Sequence, residues 1–553
     1  MKMRTYPTHQ QVDFVIVGSG PAGSVLAKEL SGAGFDVVVL EQGPWMQPSD
    51  FKHDEYGNWI LMDLCGGLKD SPQTLRHSPD ETARTTMTPP PVIYVHGVGG
   101  SSVHFTANYW RFHPVDFKEH TQWGDIPGAD FADWPVSYEE MEPYYTKVDW
   151  EVGVSGAPGP FDPPRSKPFP MPPLPIKSSG ALIEKGARAM GWHAQPAQMA
   201  IASRPYDGRP SCQHCGYCEG YGCEYGAKSS ALVTMIPKAV ASGRCEVRTG
   251  AIVHRVETDA RGRATGVVYW DGAGTEQRQR AKAVILSANG AETTRLLLLS
   301  DSARFPHGLA NGSGVVGAHL MPNGNASVYG LFEHPLNEYK SVQVTRFVHD
   351  FYNADASRGF YGGGGFDGRM TFGPMMFANL AMPVDADVPA WGEGFTRALH
   401  TYPTHSMEVE CHTTSLPVRS NSISLDPVLK DKWGRPALRT TYRYHPDDVK
   451  TMNFFADRAE ELLHAAGAKK VWRLPVEDTN SVFVHLLGTC RMGNDPARSV
   501  VDRDHRTHEV RNLFICDGSS FDTSGRGQPT MTIQALAFRA ADRIGQAARR
   551  NEV

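Results

Sequence analysis

The chain is predicted to fold as α/β, opening on a Rossmann-type nucleotide-binding unit, and three observations predict it. Residues 13–41 read DFVIVGSGPAGSVLAKELSGAGFDVVVLE, in which a short apolar run, a glycine turn, a helical stretch and a second apolar run follow one another. The turn carries Gly18-x-Gly20-x-x-Gly23 where the first run meets the helix. An acid, Glu41, closes the second run, about 20 residues past the turn, as dinucleotide-binding units require.

Each element has a physical task. The run Phe14-Val15-Ile16-Val17 is a buried strand. Gly18 allows the tight turn, Gly20 lets backbone approach a pyrophosphate, and Gly23 lets helix and strand pack closely. The helix buries Val25, Leu26 and Leu30, and its N-terminus stabilises phosphate charge. Val37-Val38-Val39-Leu40 is the second strand, and Glu41 is placed to accept from ribose hydroxyls. The motif does not distinguish NAD from FAD.

At 553 residues the chain is expected to divide into two to four units at about 150 residues each. Its 40% hydrophobic and 21% charged residues are ordinary for a globular protein. A net charge of −5 gives no reason to expect nucleic acid as a partner. No stretch has the roughly 18–20 apolar residues of a membrane span, and a polar run follows the basic start, so neither anchor nor export signal is expected. Cys65, Cys245, Cys411, Cys490 and Cys516 are scattered and read as buried thiols. The other four of the nine cysteines, Cys212, Cys215, Cys218 and Cys223, lie within twelve residues.

Four further stretches resemble the glucose–methanol–choline (GMC) flavoprotein oxidoreductase family. They are Gly97-Val98-Gly99-Gly100-Ser101-Ser102-Val103-His104-Phe105, the segment Ser287–Leu297, His485-Leu-Leu-Gly488-Thr489-Cys490-Arg491-Met492-Gly493, and Asp517-Gly518-Ser519-Ser520 with Gln528-Pro529-Thr530-Met531-Thr532. Trp134-Pro135, Tyr144-Tyr145, Arg204–Pro210 and Lys430–Gly434 are similar to one branch of it. That branch comprises bacterial gluconate, fructose and glucose dehydrogenase flavoproteins and glucoside 3-dehydrogenases. The resemblance implies a two-domain α+β arrangement. Residues 1–115, 225–320 and 485–553 would form an FAD-binding domain, and 116–224 with 321–484 a sheet-based substrate domain. It also implies FAD as cofactor, around Gly99, Gly100, Ser101, His104, Asp517 and Gly518, with a covalent flavin bond expected at His104.

Alcohol oxidation by flavin removes a hydroxyl proton while hydride leaves for N5, and a neutral imidazole suits the first task. His485 matches the family's catalytic histidine. The second catalytic position, usually His or Asn, is Gln528 here, an amide that still donates and accepts. The expected substrate is a sugar or glycoside secondary hydroxyl, with C3 of a glucoside ahead of gluconate-type C2 oxidation. The glycine-rich stretch Arg358–Arg369, with Phe360 and Tyr361, is expected to be a mobile loop over the site.

The spacing C-x2-C-x2-C-x4-C of Cys212, Cys215, Cys218 and Cys223 points to a metal, either structural zinc or an iron–sulfur cluster. A cluster would relay single electrons from a two-electron flavin, and relatives in the branch carry a three-iron cluster on three cysteines. The resemblance therefore implies 3Fe-4S on Cys212, Cys218 and Cys223, with 4Fe-4S if Cys215 joins. It further implies a small export or chaperone-like partner subunit, a cytochrome c acceptor, and a periplasmic location through that partner, with the cytoplasm as alternative. An oxygen-using oxidase with structural zinc, a gluconate 2-dehydrogenase-type subunit and a non-catalytic flavin subunit are the rival readings.

Overall fold

Val12–Val17 is apolar over nearly its whole length because it lies inside a parallel layer, hydrogen-bonded to Val37–Leu40 on one side and to residues 281–286 on the other. The computed structural model describes residues 3–65, 70–86 and 89–553. The full sheet has seven strands, in the order Cys245–Arg248, Val37–Leu40, Val12–Val17, Glu276–Leu286, Ala264–Trp270 and Ile252–Thr258, with Leu513–Ile515 also paired to Glu276–Leu286. Glu276–Leu286 serves two layers. Residues 276–280 pair antiparallel with Ala264–Trp270 and alternate polar with buried positions, whereas the continuous apolar run 283–286 pairs parallel with the first strand and with Leu513–Ile515. The helix Pro21–Gly32 lies against this sheet and buries Val25, Leu26 and Leu30. The last long helix, Thr530–Arg549, packs against it.

A second sheet has six strands in the order Lys470–Arg473, Gly324–Leu331, Ser406–Thr413, Gly364–Arg369, Arg346–Val348 and Ala194–Pro196. The helix Pro446–Ala466 covers one face, burying Phe455, Ala459 and Leu462 against Val328, Phe366, Val409 and Cys411. Each such side chain contributes about 1.5–3 kcal/mol. A four-stranded sheet joins Ser422–Lys430 and Pro436–Thr441 to Gln73–Arg76 and Arg84–Thr86, so strands from both sides of the division expected from sequence share one layer.

The expected mobile loop over residues 358–369 is not one. Gly364–Arg369 is an interior strand of the second sheet. Its glycines are there because neighbours come close: a Cβ on Gly364 would lie 2.1 Å from the His412 carbonyl oxygen, and one on Gly365 would lie 2.3 Å from the His349 ring. Tyr361 is 2% exposed in a small core with Ile126, Phe131 and Leu416, and Phe360 packs on Phe454. Among the described residues no helix is long and apolar enough to cross a membrane.

Candidate active site

One cavity of about 780 Å³ runs from the glycine turn at the end of the first strand to His485 and Gln528. At its nucleotide end Gly18 has φ 96°, and a Cβ there would lie 2.4 Å from the Ser287 carbonyl oxygen. A Cβ on Gly23 would lie 2.1 Å from the Gly18 oxygen, so helix and turn touch backbone to backbone. A Cβ on Gly20 would find no atom nearer than Gly100 Cα at 4.0 Å, so space is open there, and the helix that starts at Pro21 directs its N-terminus over this opening. Glu41 is 5% exposed and lines the cavity; its carboxylate accepts from Ser19 N–H (3.1 Å), Ser19 Oγ (2.6 Å) and Gly43 N–H (3.0 Å).

The second glycine loop closes on the first. Gly99 N–H donates to Ser19 Oγ at 3.2 Å, and a Cβ on Gly100 would lie 2.9 Å from Gly20 Cα, so the two loops meet glycine to glycine. Ser101 Oγ accepts from Val95 N–H at 3.2 Å. His104 lines the cavity, and burial, with Lys228 nearby, lowers its imidazole to about 4. Asp517 ties the chain's far end in: it accepts from Thr293 Oγ1 (2.7 Å) and from Ser519 N–H (2.9 Å), capping the turn that Gly518 begins. Both Asp517 and Gly518 line the cavity.

The other end holds His485 and Gln528, and residues that sequence reasoning missed. His485 Nδ1 lies 3.0 Å from Asn323 Oδ1. Asn323 is 1% exposed, and its Nδ2 faces the carbonyls of Thr413, Ser524 and Gly525 at 3.2 Å each. Three acceptors around Nδ2 fix the amide so that Oδ1 is the acceptor for His485. Nδ1 of His485 therefore carries the hydrogen, and Nε2 keeps its lone pair. Burial, and then His412 nearby, push the His485 imidazole down to about 3, so it rests neutral. Gln528 Nε2 lies 3.2 Å from His412 Nδ1, which makes His412 Nδ1 the acceptor and Nε2 the donor to Asp367 Oδ2 at 3.0 Å.

Arg369 is the centre of that floor. It grips Asp367 through Nε and Nη2, both at 2.7 Å, and its Nη1 meets Glu219 Oε2 at 3.2 Å and Glu410. Burial, set against the pull of Arg369, raises the Glu219 carboxyl to about 7 and that of Glu410 to about 8. Arg369, Glu219, Glu410 and His412 all line the cavity. The signal that would have found two of them is the alternation Glu408-Val409-Glu410-Cys411-His412, a strand with charges on a face the sheet buries.

Glu219 comes from the cysteine segment. Gly220 N–H donates to the His104 carbonyl at 2.8 Å, and the buried Lys228 Nζ donates to the carbonyls of Phe105 (3.1 Å), Cys218 (2.5 Å) and Tyr221 (2.7 Å). The segment thus lies against the second glycine loop. All four thiols are free: Cys218 is buried, and Cys212, Cys215 and Cys223 are half-buried. Among the described residues no three or more His, Cys, Asp or Glu side chains form a group that could hold a metal ion, these cysteines included. The ligand set expected of Cys212, Cys215, Cys218 and Cys223 is not gathered, because the segment is anchored along its length to separate neighbours: Cys212 N–H to Ala202, Gly220 to His104, and Ser341 N–H to His214. Gly220 and Gly222 serve packing, since a Cβ on either would meet Trp59 at 2.6 Å or Phe51 at 2.0 Å. These donors do not fit a zinc or iron–sulfur site as they stand.

A nucleotide cradle at one end of a cleft and an oriented neutral histidine at the other define a dinucleotide-dependent oxidoreductase. Comparison with known proteins gives the family. The N-terminal GMC oxidoreductase profile matches residues 12–321 and the C-terminal one residues 417–537. A 2-methyl-1,2-propanediol dehydrogenase of Mycolicibacterium austroafricanum is 36% identical over 97% of this chain and 95% of its own. The fructose dehydrogenase large subunit of Gluconobacter japonicus is 30% identical over 96% and 97% of the two chains. Formate oxidase of Aspergillus oryzae superposes with a TM-score of 0.66 at 16% identity, over 99% of this chain and 100% of that one. The chain belongs to the GMC oxidoreductase family, whose flavoproteins bind FAD and act on CH–OH groups. The cradle suits that cofactor: the open backbone over Gly20 and the buried Glu41 match a pyrophosphate and a ribose.

Proposed function

We propose that the protein is an FAD-dependent dehydrogenase that oxidises an alcohol carbon of a small diol, polyol or sugar to the carbonyl. The observation that carries it is the fixed tautomer of His485, whose Nε2 lone pair is free in the same cavity as the nucleotide cradle. FAD would be held by Gly18, Gly20, Gly23, Glu41, Gly99, Gly100, Ser101, Asp517 and Gly518, and when bound it supplies the hydride acceptor. The chain does the rest. His485 Nε2 takes the hydroxyl proton, Asn323 holds the ring and its Nδ1 hydrogen in place, and Gln528 offers its second amide hydrogen to the substrate oxygen. Gln528 is kept in position by His412, which compensates for a side chain longer than the family's usual Asn.

The expected regiochemistry, C3 of a glucoside, draws no support from the lining, and the class proposed is the coarser one. Dehydrogenases among the relatives favour an external electron acceptor over oxygen. A neutral, cavity-lining imidazole at His104 supports covalent flavin attachment; yellow colour left in the supernatant after acid precipitation would exclude it. The relatives' names "large subunit" and "flavoprotein" support a partner subunit for this chain, while a cytochrome acceptor and export through that partner rest on the family resemblance alone. The main test is anaerobic mixing of the FAD-loaded protein with diols, polyols and sugars: bleaching of the flavin is expected, and no bleaching by any alcohol overturns the proposal.

A second assignment, an iron–sulfur cluster on the four cysteines, has one observation in its favour, the bond between Gly220 and the His104 carbonyl that puts the segment beside the flavin loop. It requires the segment to close on the cluster. Iron near three atoms per flavin, by about the stoichiometry of a 3Fe-4S centre, would establish it, and metal-free protein would remove it.

A further inference from the structure

We propose that Glu219 and Glu410 are specificity-determining residues that select uncharged, hydroxyl-rich substrates and turn away carboxylates. This rests on the proposed oxidation at His485, and it gives the cysteine segment a role as one wall of the substrate site.

Charge balance carries the inference. Arg369 is 1% exposed and already neutralised by the two-point grip on Asp367. Its remaining Nη1 is shared between two carboxyls, Glu219 and Glu410, and among the described residues neither has another ion pair. Their side chains keep 22% and 17% exposure, and both line the cavity, whereas the guanidinium between them is sealed. The face offered to a ligand is therefore made of carboxyl oxygens, with the cation behind them. Of the other cations of the lining, Arg295 and Arg435 are engaged with Asp431 and Lys432 with Asp70, while Lys52 is exposed to solvent and pairs with neither Glu219 nor Glu410.

The distance to the reacting end is short in bonds. Arg369 Nη2 and His412 Nε2 both donate to Asp367 Oδ2, at 2.7 and 3.0 Å, His412 Nδ1 meets Gln528 Nε2 at 3.2 Å, and His412 is close enough to His485 to depress its imidazole. A second observation points to the same ligand chemistry. Asn108 lines the cavity at 3% exposure, gives its Nδ2 to Asp367 at 3.3 Å, and leaves Oδ1 without a donor. A wall rich in acceptors and short of donors is satisfied by hydroxyl groups, each of which brings a hydrogen. Above the values of about 7 and about 8 to which burial raises Glu219 and Glu410, both are ionised. A carboxylate then brings only acceptors and a like charge, which an interface of this kind penalises strongly, so the selectivity is read at about pH 9.

The test compares sorbitol with gluconate, which share a six-carbon polyol chain and differ at one end by a carboxylate. Binding to the FAD-loaded protein is measured by calorimetry, and flavin reduction separately. Sorbitol is expected to bind at least about tenfold more tightly than gluconate, the direction like-charge repulsion dictates. In Glu219→Gln and Glu410→Gln, made separately and checked for flavin content, that ratio is expected to fall by about the same factor. Equal binding of the two, binding of neither, or an unchanged ratio in both variants overturns the proposal. Polyol binding with the expected ratio but no flavin bleaching by any alcohol would instead overturn the oxidation while leaving the selectivity intact.

Discussion

Replacing Asn323 by glycine isolates the device that makes His485 a base. Asn323 sits at φ 63°, so glycine keeps the backbone without strain while deleting the amide. What the ring loses is the 3.0 Å acceptor for the Nδ1 hydrogen, in a site where that hydrogen is buried. The carbonyls of Thr413, Ser524 and Gly525 lose their Nδ2 donor as well, so folding and flavin content are checked first. An unsatisfied buried donor costs about 1–3 kcal/mol, and the ring can then relieve itself only by turning or by moving its hydrogen to Nε2, where it occupies the lone pair the reaction needs. If the whole penalty falls on the transition state, kcat drops roughly 5- to 160-fold. KM should hold, since ground-state binding does not use Nδ1. The assay is single-turnover flavin reduction on FAD-loaded protein, with KM from the substrate dependence. A wild-type kcat in the loaded variant, or a raised KM with kcat intact, would refute the reasoning.

His485→Ala should bind FAD normally yet lose about 10²–10⁴ in the rate of flavin reduction, the usual worth of a general base. Because burial holds the His485 imidazole at about 3, its base form is complete well above that pH; flavin reduction in the wild type should show no acid limb from this group between about pH 5 and 8, and an inflection near the ordinary histidine value of about 6.5 would contradict it. Gly100→Ala puts a Cβ 2.9 Å from Gly20 Cα at φ 54°, and the purified variant should carry markedly less flavin per chain than wild type. Lys228→Met strands the carbonyls of Phe105 and Tyr221 and leaves that of Cys218 only the Tyr221 N–H at 3.4 Å, at about 1–3 kcal/mol for each left unsatisfied; protease cutting within residues 212–226 should accelerate while the rest of the chain stays intact.

The nucleotide end was legible in the sequence because its chemistry is backbone chemistry, and backbone chemistry needs glycine at set positions within one short segment. Gly18, Gly20, Gly23 and Glu41 fall where the motif places them. His485 and Gln528 were legible only through the resemblance of their surroundings. Asn323, His412, Arg369 and Glu410 were not picked out, since Arg369 lies on one strand, Glu410 and His412 on its neighbour and Asn323 just before a third, and sheet pairing is what gathers them: Asp367 stands opposite Glu410, and Gly365 opposite His412. One reading failed because of contacts made far along the chain: the glycines of 362–365 suggested movement, but they answer to crowding by neighbours distant in sequence, as Gly220 and Gly222 of the cysteine segment also do.

The pairing of the first sheet also sets an order of events. Val12–Val17 finds one of its partners only at residues 281–286, and that strand is flanked in turn by Leu513–Ile515. Closing segments this far apart is entropically slow. A chain emerging from its N-terminus has displayed the glycine turn long before Asp517, Gly518 and the helix that begins at Thr530 exist to complete the cradle. Cofactor capture is thus a late step, and a formed flavin pocket doubles as a sign that synthesis has passed Thr530.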